Sequence, residues 1–175
     1  FNYLVLLGRR RNPLDEVALE AMDIWGAQAV ANSRDQQIWV YDQQDFTLKK
    51  ISRQGLLSEK SRNLSRWVSN DWEAERIVVQ RDALFLVSPR QDLLHFSPFG
   101  QYLRTLQLRE GRFHFQQDQL YYCSDAAGLF TWEPIRGKGD YIVSLATPPD
   151  HLLARPQLLV IQRGNQVEVI PFGLK

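Results

Sequence analysis

One cysteine, Cys123, is all that this sequence contains. An internal disulfide is therefore excluded, and so is a zinc site built on cysteines. Compartment stays open, because a disulfide-free chain folds on either side of a membrane. Long apolar runs are also lacking: none approaches the roughly 18 residues that a membrane-spanning helix requires. Neither sign of charge is in excess. The 21 Lys and Arg stand against 20 Asp and Glu, a formal net charge of +1, so no overall field draws the chain to nucleic acid or to an anionic membrane. Histidines are few, and His95, His114 and His151 show no H-x-H or H-E-x-x-H spacing. A signal peptide is absent, and the chain opens Phe1-Asn2-Tyr3 without a methionine. The expectation is that residues precede it, where an export signal or a lipid anchor would lie.

What is present is enough to bury a core: 175 residues, 44% of them hydrophobic and 23% charged, most simply one domain spanning 1–175. Phe1 to Gly8 reads as a strand that ends at the basic run Arg9-Arg10-Arg11. Leu14 to Ile24 carries Leu14, Val17, Ala18, Ala21 and Met22 at helical spacing, with Asn12 as cap and Pro13 in the first turn, and predicts one short N-terminal helix. Beyond Ala27 the pattern is that of strands alone.

The clearest of these lies in Gln36 to Gly55. Ile38-Trp39-Val40-Tyr41 and Phe46 to Ile51 flank a polar turn, the signature of a β-hairpin. Three later segments repeat it, beginning at Leu84, Leu120 and Leu158, so that successive starts are 46, 36 and 38 residues apart. The second strand of each follows at a fixed offset of ten residues, at Leu48, Leu94, Phe130 and Glu168, which pins strand register. A further strand precedes each hairpin, at Gln28–Ala31, Arg76–Val79, Arg112–Phe115 and His151–Ala154, across turns carrying Asp35, Asp82, Asp118 and Pro156. A fourth follows at Tyr102–Leu106 and at Tyr141–Leu145. Repeats of three or four strands without intervening helices, close to the roughly 40–45 residues of one propeller blade, predict an all-β chain and a β-propeller of about four antiparallel blades. The repeats span approximately 27–66, 74–109, 111–147 and 150–174. Two arrangements fit: a closed small ring in which strand 1–8 completes the last blade, or part of a larger five- or six-bladed ring. A β-sandwich is the third.

The phrases Ile38-Trp39-Val40-Tyr41-Asp42 with Phe46 to Ile51, and Leu93-Leu94-His95-Phe96-Ser97-Pro98-Phe99-Gly100-Gln101-Tyr102-Leu103, resemble the repeats of NHL-like six-bladed propellers. Within that group the chain is similar to uncharacterised propeller proteins of bacterial cell envelopes, often exported or lipid-anchored. The resemblance covers Ala27 to Gly173 and is closest in the first two repeats. It implies a fold and a periplasmic or envelope-associated location, with a lipid anchor upstream of this chain as one route. No catalytic residue carries over, because the metal-binding carboxylates of the enzymatic relatives have no counterpart.

Candidate chemistry is sparse. Each histidine stands alone and reads as satisfying nearby backbone groups. Asp42, Asp92 and Asp125 fall where propeller loops converge, yet turn chemistry accounts for them as it does for Asp35, Asp82 and Asp118. Ser88, Ser97, Ser124 and Cys123 lack a nucleophile elbow, and Gly137-Lys138-Gly139 lacks the rest of a phosphate loop. Arg9 to Arg11 is followed by Asp15, Glu16 and Glu20, which offset it. Trp39 and Trp132 sit in strand runs and read as core. Trp67 and Trp72 differ: they lie in the longer stretch between the first two repeats, where tryptophan supplies contact area at low entropic cost. With Arg62 and Arg66 they are the candidate partner-binding residues, inter-blade packing being the other reading.

The function expected is that of a non-enzymatic protein-interaction or scaffolding module, a subunit of or accessory to a cell-envelope assembly. Its partner would be another protein, a membrane-associated complex among the candidates, with no cofactor, metal or nucleic acid. The rivals are a propeller enzyme acting on a sugar or lactone through a channel cation held by Asp42, Asp92 and Asp125, and a purely structural subunit of a membrane assembly.

Overall fold

The computed structural model describes residues 3–7, 13–89, 92–107, 113–116, 119–124, 128–133, 138–145, 149–155 and 158–171. Their strands form five antiparallel sheets. β1 (Tyr3–Leu7) and β2 (Pro13–Ala18) pair with each other, and a short 3-10 turn, Leu19–Met22, follows. The second sheet holds β3 (Ala27–Asn32), β4 (Ile38–Asp42), β5 (Thr47–Ile51) and β6 (Leu57–Lys60). The third holds β7 (Arg76–Val79), β8 (Leu84–Val87), β9 (Asp92–Phe96) and β10 (Tyr102–Gln107). The fourth holds β11 (Phe113–Gln116), β12 (Gln119–Ser124), β13 (Gly128–Glu133) and β14 (Lys138–Ser144). The fifth holds β15 (His151–Arg155), β16 (Leu158–Arg163) and β17 (Gln166–Pro171). Every sheet is a meander in chain order.

Two expectations for the N-terminus are corrected. Leu14 to Ala18 is a strand, leaving only Leu19–Met22 with helical turn geometry. Of the residues whose spacing suggests a helix, Val17 and Met22 are buried, together with Leu19 and Ile24, but against Leu4, Ile38, Val40 and Ile51. An isolated helix of two turns is marginal, whereas a strand here satisfies the backbone of β1. The first strand likewise pairs with β2, Leu4 opposite Val17, rather than adding to the last sheet.

The chain divides into two compact units, Phe1–Pro89 with Leu93–Thr105, and Arg90–Asp92 with Leu106–Lys175. In the first, sheet β3–β6 is covered on both faces. Alternate residues of a strand point to opposite sides: Ile38 and Val40 meet the β1–β2 sheet, while Trp39 and Tyr41 join Ile77, Leu84, Leu86, Leu94 and Phe96 of the third sheet. Every residue of β4 and β5 is buried in consequence, and these strands lose the alternation of a half-solvated sheet. A two-layered sandwich covers each sheet on one face only, so this stacking is of another kind. In the second unit Leu129 and Leu145 pack on Leu152, Leu159 and Ile161, joining the fourth sheet to the fifth.

One turn recurs. Ser52-Arg53-Gln54-Gly55 and Ser97-Pro98-Phe99-Gly100 link third to fourth strands in the second and third sheets; each serine accepts from its glycine's N–H, and its Oγ accepts two further backbone N–H groups. Gly100 has φ +77°, and a Cβ there would stand 2.8 Å from the Trp39 ring. Gly164 has φ +54° with open space around it. Gly100→Ala is expected to lower stability by about 2 kcal/mol or more, combining backbone strain with overpacking, and Gly164→Ala by about 1 kcal/mol from strain alone. Urea midpoints of the two variants test this; equal losses would mean that the Trp39 contact contributes nothing.

Candidate functional site

The segment 61–75 joins β6 to β7, and although irregular it is fastened at several points. Leu64, Val68 and Ala74 are buried in the core shared by the second and third sheets. The Leu48 N–H donates to Ser61 Oγ at 2.9 Å, and Ser61 N–H returns a bond to Leu48 O at 2.8 Å. Asn63 Nδ2 donates to Asp45 O at 2.7 Å, and Leu64 N–H to Phe46 O at 2.8 Å. These bonds hold the β4–β5 turn, where Phe46 adopts φ 53°, a strained value for a bulky side chain. Farther along, the Ala74 N–H donates to Gln28 Oε1 at 2.6 Å.

On this fastened segment Trp67 forms one wall of a cleft of about 470 Å³. Lys60, Ser61 and Arg62 line it from the same stretch of chain, and Phe99, Gly100, Gln101 and Tyr102 line it from the β9–β10 turn. The Trp67 ring stacks on Tyr102, centroids 4.2 Å apart and planes at 24°. Tyr102 in turn meets Phe96 edge-on at 5.9 Å, and its hydroxyl is 2.8 Å from Thr105 Oγ1. A file of rings therefore runs from the core to the surface, and Trp67 is still 38% exposed at its end, with Phe99 70% exposed beside it.

The charges around the cleft are unequal in freedom. Lys60 Nζ is 2.9 Å from Asp45 Oδ2, the same oxygen that lies 2.9 Å from Lys49 Nζ. Burial pushes the Asp45 carboxyl up, but hydrogen bonds from Thr47, Lys60 and Lys49 outweigh it and hold the group below its ordinary value. Arg62 and Arg66 are exposed, and among the described residues neither guanidinium enters an ion pair. The cleft thus offers an aromatic platform with an uncommitted cation at its rim, a surface suited to an apolar or planar side chain near a carboxylate.

Of the four residues singled out by sequence, Trp67 and Arg62 meet at this cleft. Trp72 is half-buried, its ring edge-on to Tyr41 at 5.8 Å, so it packs between sheets. Arg66 is exposed outside the cleft lining. Phe99, Gly100 and Tyr102 were not marked, although the repeated Ser-x-x-Gly turn was a signal that could have drawn them in.

The carboxylates and histidines have other occupations. Asp42 is fully buried; its Oδ1 accepts from the N–H of Gly26 and of Gln44, and its Oδ2 from that of Trp25. Lys49 Nζ sits 2.8 Å from Oδ2 and also donates to Asp23 O and Asp45. An ammonium already stands where a cation would bind. Asp35 caps its own turn as expected, accepting from the Gln37 N–H, and pairs with Lys50 at 2.8 Å. His95 stacks on Phe85 at 4.8 Å and accepts from Arg104 Nε at 3.3 Å, a buried ring pushed down to about 4 by burial and then by Arg104. His151 is exposed at the start of β15, and His114 lies on β11. Asp125 and Arg9 to Arg11 lie outside the described residues. No group of three or more His, Cys, Asp or Glu placed to hold a metal occurs among the described residues, and no helix there is long and apolar enough to cross a membrane.

No family model matches the chain, and no curated protein does. Solved structures do resemble it. The WD40 domain of Neurospora crassa Pan2 aligns over 97% of this chain and 56% of its own, with TM-score 0.64 and 11% identity. The RRP9 WD40 repeats align over 82% of this chain and 47% of their own, with TM-score 0.54 and 16% identity. The fold is a β-propeller. A computationally designed protein, Ika4, aligns over 85% of this propeller chain and 92% of its own, with TM-score 0.54 and 13% identity. The chain spans about half the length of the two WD40 structures. In propeller terms, the Trp67 cleft is built where one blade hands over to the next.

Proposed function

We propose that this propeller is a non-enzymatic interaction module that grips a partner protein at the Trp67 cleft. The observation that carries the reading is a tryptophan stacked on Tyr102, still exposed, and set beside an arginine without an ion pair among the described residues. Rigid aromatic and arginine side chains dominate binding energy at protein interfaces, because their contact area costs little ordering. WD40 neighbours support a scaffold role at the level of fold. The finer identity we propose is an NHL-like propeller of the bacterial cell envelope, folded as one domain and belonging to a membrane-associated assembly. Its supports are the repeat phrases at 38–51 and 93–103. In this reading the chain contributes about four blades, to a small ring or to a five- or six-bladed one.

Trp67→Ala is expected to weaken partner binding by about 2 kcal/mol, roughly thirtyfold, and Arg62→Glu by a similar factor. The comparison is made by native copurification and then by titration of the purified partner. Trp72→Ala is expected to lower the melting temperature instead, because that ring lies between sheets. Full retention of partner by a folded Trp67→Ala, Arg62→Glu double variant would reject this surface. Fractionation of cells expressing the gene with its natural upstream sequence tests the envelope location, and a cytosolic pool would reject it.

A further inference from the structure

A second cavity, of about 180 Å³, shares Phe99 with the Trp67 cleft. Three turns of the first unit border it, those joining β3 to β4, β7 to β8 and β9 to β10, with Asp35, Gln80 and Phe99 among the lining residues. Each turn is closed by a backbone bond of 2.8 Å: Ser33 N–H donates to Gln37 O, Gln80 N–H to Ala83 O and Ser97 N–H to Gln101 O. The frame of the cavity is therefore fixed by the chain itself. Trp39 lines it too, and the Trp39 ring lies against Gly100, which lines the Trp67 cleft.

Gln80 is the anomaly of this lining. It is only 5% exposed, yet neither its Oε1 nor its Nε2 has a hydrogen-bond partner among the described residues. Buried amides in folded chains are nearly always paired, and one with both functions idle calls for a reason. The charged neighbours do not supply it, because they are engaged elsewhere. Lys50 lies 2.8 Å from Asp35 and 3.2 Å from Glu59, and Arg34 and Arg81 have interactions of their own. A guest here has no need to bring charge. It needs a donor and an acceptor side by side, since a carboxamide holds both in one plane. A second carboxamide meets that need in full, its N–H on the Gln80 carbonyl and its carbonyl on the Gln80 N–H. A carboxylate would leave Oε1 idle, and an ammonium would leave Nε2 idle.

We propose that this cavity receives the side chain of an asparagine or glutamine of the partner protein, which pairs in both directions with the Gln80 carboxamide; the identity of that partner rests on the reading of the Trp67 cleft given above. Phe99 borders both cavities, so one segment of the partner laid over it reaches both. The amide atoms of Gln80 are covered in the chain alone, and the side chain turns about its own torsions to meet the guest.

The first measurement needs neither a variant nor the partner. N-acetylglutamine methylamide is titrated into the isotope-labelled 175-residue protein while the side-chain amide signal of Gln80 is followed by NMR. That signal should move and saturate. It should stay in place with N-acetylglutamate methylamide and with N-acetylalanine methylamide, which lack the carboxamide. No movement with the glutamine compound, or equal movement with all three, overturns the proposal. The second measurement uses Gln80→Met, of matched length. Its melting temperature should equal or exceed that of the parent, because the chain loses no internal hydrogen bond of that side chain, while retention of the copurified partner should weaken roughly tenfold. Unchanged partner binding by folded Gln80→Met overturns the proposal whatever the melting temperature. Trp67→Ala should leave the NMR titration as it was, so failure of the Trp67 surface and failure of this cavity read differently. A partner kept by Trp67→Ala but released by Gln80→Met would reject that surface and leave the carboxamide site standing.

Discussion

Asp42→Ala is expected to remove about 3 to 5 kcal/mol of stability, a large share of the roughly 5–15 kcal/mol available to a domain. The substitution strips a buried ammonium, Lys49, of its closest carboxylate and leaves the N–H groups of Trp25, Gly26 and Gln44 without an acceptor. Lys49→Met is expected to cost less, because the carboxylate left behind keeps all three of those backbone donors. The asymmetry separates this account from a simple ion pair, in which either deletion would cost the same. Because the two groups are in contact, the double variant should lose less than the two single losses added together, with a coupling of about 1 to 3 kcal/mol. Denaturant midpoints of the three variants measure all of this. A Lys49→Met loss equal to or above that of Asp42→Ala would refute the backbone role assigned to Asp42.

The second large effect is a loss of stability in mild acid. The His95 ring titrates at about 4 in the folded chain against 6.5 ordinarily, chiefly because burial disfavours its charged form. Between those values the unfolded chain takes up a proton at this site and the folded chain does not, so acid favours unfolding. The stability is complete above pH 6.5 and drains as the pH falls to about 4, a change on the order of 3 kcal/mol. His95→Gln keeps an acceptor for Arg104 and should flatten the profile across that window. Asp45, held below its ordinary 3.8, contributes stability that is present above that value and is lost only at lower pH. The two effects are therefore separable by pH. A slope between pH 6.5 and 4 that survives His95→Gln would remove His95 as its cause.

The repeats were legible because each hairpin obeys a local rule: two short apolar runs, a fixed ten-residue offset, and a polar turn before them. Those rules act over a few residues, and the central strands β4, β8, β12 and β16 follow from them. β6 was not read, since Leu57-Ser58-Glu59-Lys60 is a short polar strand with an exposed lysine at its end, the usual guise of a sheet edge. The N-terminal segment misled for a different reason. Leu14, Val17, Ala18, Ala21 and Met22 fall at helical spacing because a strand passes into a tight turn between Val17 and Met22, both buried, and in one dimension that looks much like a helix. As for the site, an exposed tryptophan and a nearby arginine could be picked out from an irregular linker. Their companions Phe99 and Tyr102 come from a turn some thirty residues away, and only the stacking of two sheets brings them together. The burial of Asp42 with Lys49 was hidden for the same reason: Thr47-Leu48-Lys49-Lys50-Ile51 of β5 looks like a surface strand until both faces of its sheet are covered.

The linker carrying Trp67 has one lasting consequence. Its leucine, valine and alanine are pegs driven into the interior, so the surface that we propose for recognition is cast in advance and would not mould itself to a guest. A newcomer would be accepted or refused on shape at first touch, and evolution could recut the tryptophan's rim far more readily than it could reroute the segment beneath.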